Sequence, residues 1–275
     1  MKKNKTIFSL ALVFFLFRQS VAYSQIGAEA QGGKTTMWLA VGLDNELSKR
    51  WLSVTDLGYG RHSDPNNYEL SKRLGLNVIT QDFVYRLNEH WDINLSFGYW
   101  RRNFYEETKP YDEKQAPYQF RNELRPYQRL TYLHDLQNIK LSHTLRVDYR
   151  FYYDQDFKNK WTTPFEFRLR YLEKWKFPLS KSQKDWFIVI DEVLTSIDRN
   201  SSSNEAVLHK KWSAYQLTEN RLSFYYRRMA FNKKIDLDFG IMHQYWRENG
   251  ALNGFTTSFN LMIDLIIRDP FSKNK

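Results

Sequence analysis

The sequence predicts an all-β chain: a closed antiparallel transmembrane β-barrel following a cleaved signal peptide. Three observations predict it. Apolar and polar residues alternate along many short runs, aromatic residues make up 17% of a chain whose mean hydropathy is −0.66, and short connections alternate with long ones. Two-residue alternation marks a strand with one apolar face. A polar average rich in aromatics fits a barrel with a hydrated lumen, an apolar outer band and aromatic rims.

The leader comes first. Met1-Lys2-Lys3-Asn4-Lys5 is basic, Ile7 to Phe17 is an apolar run ended by Arg18, and "SVAYSQ" supplies small residues for cleavage after Ala22 or, by preference, Ser24. The run is too short to span a bilayer, which is the layout of a secretory signal. Residues 1–24 are thus the signal peptide and 25–275 a single barrel domain, with no repeat or linker inside it. Losing Lys2, Lys3, Lys5 and Arg18 and no acid takes the net charge from +10 to +6. Charges of both signs are spread along the chain, so no basic arm points to nucleic acid. Cysteine is absent, which excludes disulfides, a lipidated N-terminal cysteine and thiolate metal sites.

The strand runs follow in order. Less regular ones lie at about 36–43, 51–59, 74–86, 118–133 and 186–197. In "WFIVIDEVL" both faces are apolar and the inside cannot be assigned, and Asn122 and Gln128 fall on the face expected to point outward. "WDINLSFGYWRRNFY" (91–105) places Trp91, Ile93, Leu95, Phe97 and Tyr99 opposite Asp92, Asn94, Ser96, Gly98 and Trp100. Residues 139–153 set Leu141, Leu145, Val147, Tyr149 and Phe151 against Ser142, Thr144, Arg146, Asp148 and Arg150. Residues 164–177 oppose Phe165, Phe167, Leu169 and Tyr171 to Glu166, Arg168 and Arg170. Runs at 221–229, 235–246 and 255–268 repeat the pattern. "DNELSKR", "LNEH", "HDLQN" and "FNKK" are tight turns, whereas 60–73, 104–117 and 198–213 are long and polar. Tight turns at one rim and long loops at the other characterise barrels inserted from the periplasm.

A soluble barrel keeps a polar face outside and an apolar interior, but one face here carries Arg, Asp and Glu repeatedly across many strands, too many for a closed apolar core; facing a lumen, they can pair and stay hydrated. The apolar face is therefore expected to meet lipid. Trp91 to Tyr99 covers about 26 Å along a strand at roughly 3.3 Å per residue, or about 20 Å of depth at a tilt of roughly 40°. Arg101 can snorkel from the end of that face. Eleven runs are visible. Single-chain bacterial barrels have even counts, so twelve strands are expected, the missing one in 25–35 or 198–213, with ten as the alternative.

Trp51-Leu52, "GYW" (98–100), "NELRPYQR" (122–129), "LRVDYR" (145–150), "FRLRYLEKW" (167–175), "NRLSFYYRR" (220–228) and "FNLMIDLIIR" (259–268) resemble an uncharacterised bacterial family, the domain-of-unknown-function family numbered 2490. The resemblance implies a Gram-negative outer-membrane barrel with no established activity and carries over no catalytic residue.

The candidate site is the charged inner face: Arg121, Glu123, Arg125, Arg129, Arg146, Asp148, Arg150, Glu166, Arg168 and Arg170, with Asp236, Asp238 and Asp264 expected to balance them from the other wall. Such groups pair across strands. They form either a lumen-filling ion-pair network or an anion-attracting passage. A lipid-modifying enzyme of the phospholipase or lipid A deacylase type is the competing function. His143 and His243 lie on the apolar face, but alternation turns Ser258 into the lumen, and no Gly-x-Ser-x-Gly elbow or His-x-Ser pattern is present. No metal-ligand spacing or phosphate loop suggests a cofactor. The expected protein is a non-enzymatic barrel of the outer membrane with a structural, small-solute transport or surface-binding role. Its expected partners are outer-membrane lipids and, during insertion, periplasmic chaperones and the barrel-assembly machinery, with no nucleic acid. A soluble secreted β-protein is the weakest reading.

Overall fold

A computed structural model describes residues 35–64, 67–70, 72–105, 119–158, 160–199, 212–247 and 255–270; the expected signal peptide lies outside them. Eleven strands follow one another: β1 (Thr35–Glu46), β2 (Trp51–His62), β3 (Arg73–Arg86), β4 (Trp91–Phe104), β5 (Gln119–Leu136), β6 (Ile139–Tyr153), β7 (Lys160–Pro178), β8 (Asp185–Arg199), β9 (Gln216–Ala230), β10 (Ile235–Arg247) and β11 (Phe255–Arg268). Every run read from the alternation is one of these strands, most of them longer than the pattern alone marks. The tight connections at 47–50, 87–90, 137–138, 179–184 and 231–234 share one rim; the strand ends between which the remaining connections run lie at the opposite rim.

The strands close into a single ring in chain order. Neighbours are antiparallel except at the seam, where β1 and β11 pair in parallel from Thr35 opposite Phe259 to Asp44 opposite Arg268. This corrects the expected count of twelve, or ten. Parity demands an even number only when every pair in the ring is antiparallel; one parallel pair lets eleven strands close. Of the two stretches expected to hide another strand, Thr35 belongs to β1, Asp198 and Arg199 belong to β8, and Trp212 forms an isolated bridge with Arg199. Residues 25–34 and 200–211 lie outside the described residues.

The two faces of the wall have inverted polarity. Among the described residues nine hydrophobic side chains are buried against twenty-nine polar or charged ones, while Leu57, Phe83, Leu95, Phe97, Ile241 and Phe259 are exposed on the outside. Rings cluster along the outer face near the tight-turn rim, with Trp51–Tyr85 at 4.8 Å and Trp91–Tyr132 at 4.9 Å. Near the other rim Phe151 meets Phe165 at 5.0 Å. Arg101 lays its guanidinium over the Phe120 ring at 3.8 Å. Several polar groups on the outer face are paired with one another: Gln81 bonds Thr55 (2.6 Å) and Ser53 (2.9 Å), and Asn220 donates to Asp191 (2.5 Å). Asn122, a doubtful strand residue by pattern, is buried; it accepts from Tyr99 and donates to the carbonyls of Asp154 and Gln155, tying down the β6–β7 turn. Gln128 is exposed on the outside. In β8, Trp186, Ile188 and Leu194 point inward and are buried, which settles the face that the sequence left open.

Glycines on the inner face let large rings lie flat against the wall. A Cβ on Gly58 would sit 2.4 Å from the Trp38 ring, one on Gly98 would meet the Trp100 ring, and one on Gly240 would meet Tyr225. Gly58→Leu should therefore drive the Trp38 indole off the wall. The expected cost is that of overpacking, about 1–3 kcal/mol, read as a lower urea midpoint by tryptophan emission.

Candidate functional site

The inner face of β5 to β9 is built from one repeated local device. An acid and an arginine two residues apart point to the same side of a strand, because side chains alternate with a period of two. Glu123/Arg125, Arg146/Asp148, Glu166/Arg168 and Glu219/Arg221 are all such pairs, and in each the arginine Nε donates to the carboxylate of its own strand.

Cross-strand bonds then join the pairs. Arg150 donates to both oxygens of Glu123 (2.8 and 3.0 Å) and to Glu166 (2.6 Å), which also accepts from the Tyr152 hydroxyl. Arg168 reaches from Glu166 to Glu219 (3.1 Å), and Arg221 from Glu219 to Glu192 (2.8 Å). Arg170 spans Glu192 (2.6 Å) and Asp148 (3.4 Å), and Asp148 accepts from Arg146 (2.6 Å). From Arg125 to Arg146 the signs alternate through six arginines and five carboxylates without a break. Most are buried, with Asp148 and Glu219 at 0% exposure. Burying a charge is tolerable only when it is paired and hydrogen-bonded. Arg129 lies beside the chain, bound to Asp82 at 2.9 Å, and Asp82 also accepts from Tyr127 at 2.5 Å. Arg121 stacks over Tyr152 at 4.4 Å, and Arg125 over Trp100 at 3.8 Å.

The ten candidate residues of β5 to β7 thus share one inner face. The three aspartates do not play the part expected of them. Asp236 pairs with Arg227 (3.0 Å) and Arg268 (2.5 Å), and Asp238 with Arg227 (2.6 Å), a separate cluster near the tight-turn rim. Asp264 stands opposite Asp238 in the register. Counter-charge for Arg168, Arg170 and Arg221 comes instead from Glu192 and Glu219, which the sequence reading missed. Glu192 sits in the run whose inside could not be assigned, and Glu219 lies just ahead of the regular part of β9. The two-residue Glu219/Arg221 spacing was the available signal.

Inside the ring lies a cavity of about 520 Å³, within the size range of small-ligand sites. Arg129, Arg146, Arg170 and Lys174 line one side, while Trp38, Ala40, Leu76, Val78, Met242 and Met262 line the other. Several carboxylates that pair with the lining arginines, Asp148 and Glu219 among them, lie behind them and off the cavity surface. The cavity surface is nonetheless not purely cationic, since Asp56, Glu192, Asp238 and Asp264 also line it.

His243 packs against Phe259 on the outer face, ring centroids 5.0 Å apart and tilted, whereas Ser258 donates inward to Gln244 (3.3 Å). The barrel wall stands between them. His143 is also outside, bonded to the Tyr171 hydroxyl at 2.9 Å and stacked on His134. Among the described residues no group of three or more His, Asp or Glu side chains is placed to hold a metal ion.

Residues 35–254 match the family described as protein of unknown function (DUF2490). The chain belongs to that family. The match takes in β1 to β10 and both walls of the cavity except the β11 side chains. No curated protein and no solved structure matches this member of DUF2490.

Glu166 holds Arg150, Arg168 and Tyr152 at once. Glu166→Ala should take one of two carboxylate partners from each of Arg150 and Arg168, leave the Tyr152 hydroxyl without its acceptor, and destabilise the barrel by about 3–5 kcal/mol, the usual result of breaking a buried pair from one side. Equilibrium unfolding in urea should show the lower midpoint.

Proposed function

We propose that this DUF2490 protein is an exported, integral outer-membrane β-barrel and not an enzyme. In this reading its lumen is braced by buried ion pairs and holds small solutes rather than passing a steady ion current. The observation that carries it is the inverted polarity of the wall, with apolar side chains exposed outside and charges buried inside. Water would penalise that outer surface, and a bilayer would not. The outer aromatic clusters near both rims and the pairing of outer polar groups such as Gln81 and Asn220 suit the same environment. Lipids of the outer membrane, periplasmic chaperones and the barrel-assembly machinery are the partners this reading requires.

Membrane fractionation with a heat-modifiability gel tests the class. The expected result is a detergent-resistant species that migrates differently after boiling; free solubility without detergent sinks the reading.

The competing lipid-modifying enzyme needs a nucleophile and base in hydrogen-bond contact, and His243 and Ser258 are on opposite sides of the wall. His243→Ala and Ser258→Ala should leave lipid composition unchanged in a folded barrel. Loss of a deacylase or phospholipase activity in either variant would reverse the assignment.

Closure to ions is tested in planar bilayers, where wild-type protein should give little steady conductance. A steady, anion-selective current, together with an unchanged unfolding midpoint for Glu166→Ala, would replace the braced lumen with an open channel.

A further inference from the structure

The alternating chain of charges ends on a cation at the cavity. Arg146 bonds Asp148 through Nε, yet its buried Nη2 has no hydrogen-bond partner among the described residues. Directly across the strand pair stands Arg129, whose buried Nε is likewise without a partner among the described residues. Lys174, on the same side of the cavity, forms no ion pair shorter than 4 Å among the described residues. One more carboxylate or phosphate at this point would continue the alternation and satisfy donors that burial makes costly to leave empty.

The opposite wall is largely apolar, with two carboxylates set into it: Asp56, and Asp264 beside Ala40 in the register. In ring order β1 lies across from β6 and β7, so Trp38 and Ala40 confront the arginine side. Gly58 and Gly98 let the Trp38 and Trp100 rings lie along the wall instead of crossing the lumen. Leu76, Val78, Met242 and Met262 extend this apolar surface. Between the two carboxylates, those apolar side chains offer water no hydrogen-bond partner.

We propose that the lumen of this barrel binds a single-chain anionic amphiphile, its carboxylate or phosphate head on Arg129, Arg146 and Lys174 and its hydrocarbon body against the Trp38–Met262 wall. The inference rests on the barrel reading above and gives that lumen its ligand class. The head is fixed by charge and the body by shape, so neither half of the ligand alone should bind well.

Calorimetric titration of the purified barrel in neutral detergent tests it, with dodecanoate, dodecyl phosphate, dodecanol and inorganic phosphate as probes. Dodecanoate or dodecyl phosphate should bind saturably, one per barrel and beyond the micelle control, the tighter of the two assigning the head group. Lys174→Gln removes a cation without breaking any of the ion pairs described above and should weaken binding about tenfold, the worth of one charged hydrogen bond. Ala40→Phe fills the apolar side and should abolish binding, with heat-modifiability retained. Dodecanol binding as tightly as dodecanoate would remove the arginine wall from recognition and overturn the inference. Inorganic phosphate binding as tightly would remove the apolar wall and overturn it too. No binding by a heat-modifiable barrel also overturns it while leaving the barrel reading intact; protein that is soluble without detergent defeats that reading itself.

Discussion

Eleven charged groups buried within one barrel wall can persist only if each answers its neighbours, and that requirement organises the rest of the structure. A guanidinium taken from water loses several kcal/mol of hydration, and mutual attraction offsets this only with good geometry and full hydrogen bonding. The acid–arginine spacing of two within β5, β6, β7 and β9 supplies the first contact. Strand register supplies the second, since Arg150 faces Glu166 across β6 and β7 and Arg170 comes within reach of Asp148. A slip of one residue would send every one of these charges to the outer face. The ion pairs are therefore as much a register lock as a source of stability.

The two halves of the ring divide the work. Strands β5 to β9 line the lumen with long charged side chains that pair along the wall and brace it. Strands β2 to β4 and β10 carry glycines beneath flattened rings, so that side keeps its volume. A ring made only of the first kind would fill itself, and one made only of the second would lack the directional bonds that specify its register. The cavity exists because the two kinds of wall meet.

Much of this was legible in the sequence. Alternation located every strand and, for β4, β6, β7 and β9, assigned the inward face. The ten charges of β5 to β7 lie on one inner face, and His243 and Ser258 on opposite faces of the wall, as their positions in the alternation would have them. The failures share a cause: each depended on a relation between strands that no single strand displays. Glu192 could not be oriented while Ile188 and Val189 were equally apolar, and only its bonds to Arg170 and Arg221 fix its direction. The aspartates of β10 were assigned distant partners because Arg227 and Arg268, which hold them, lie on neighbouring strands in the register. The strand count failed because the direction of the closing pair is a property of the ring.

That closing pair has a consequence for anyone re-engineering the chain. In many folded domains the ends lie close together, and a short linker suffices for circular permutation. Here β1 and β11 run the same way, so Thr35 stands at one rim and Arg268 at the other. A linker joining them must travel the height of the wall, about 40 Å for a strand of β1's length at roughly 3.3 Å per residue, less its tilt. Cutting at a tight turn and sealing the old ends would thus thread a new segment through the lumen or along the outer face. Reporter tags fused at the two ends of the ring would, by the same geometry, sit at opposite rims of the barrel.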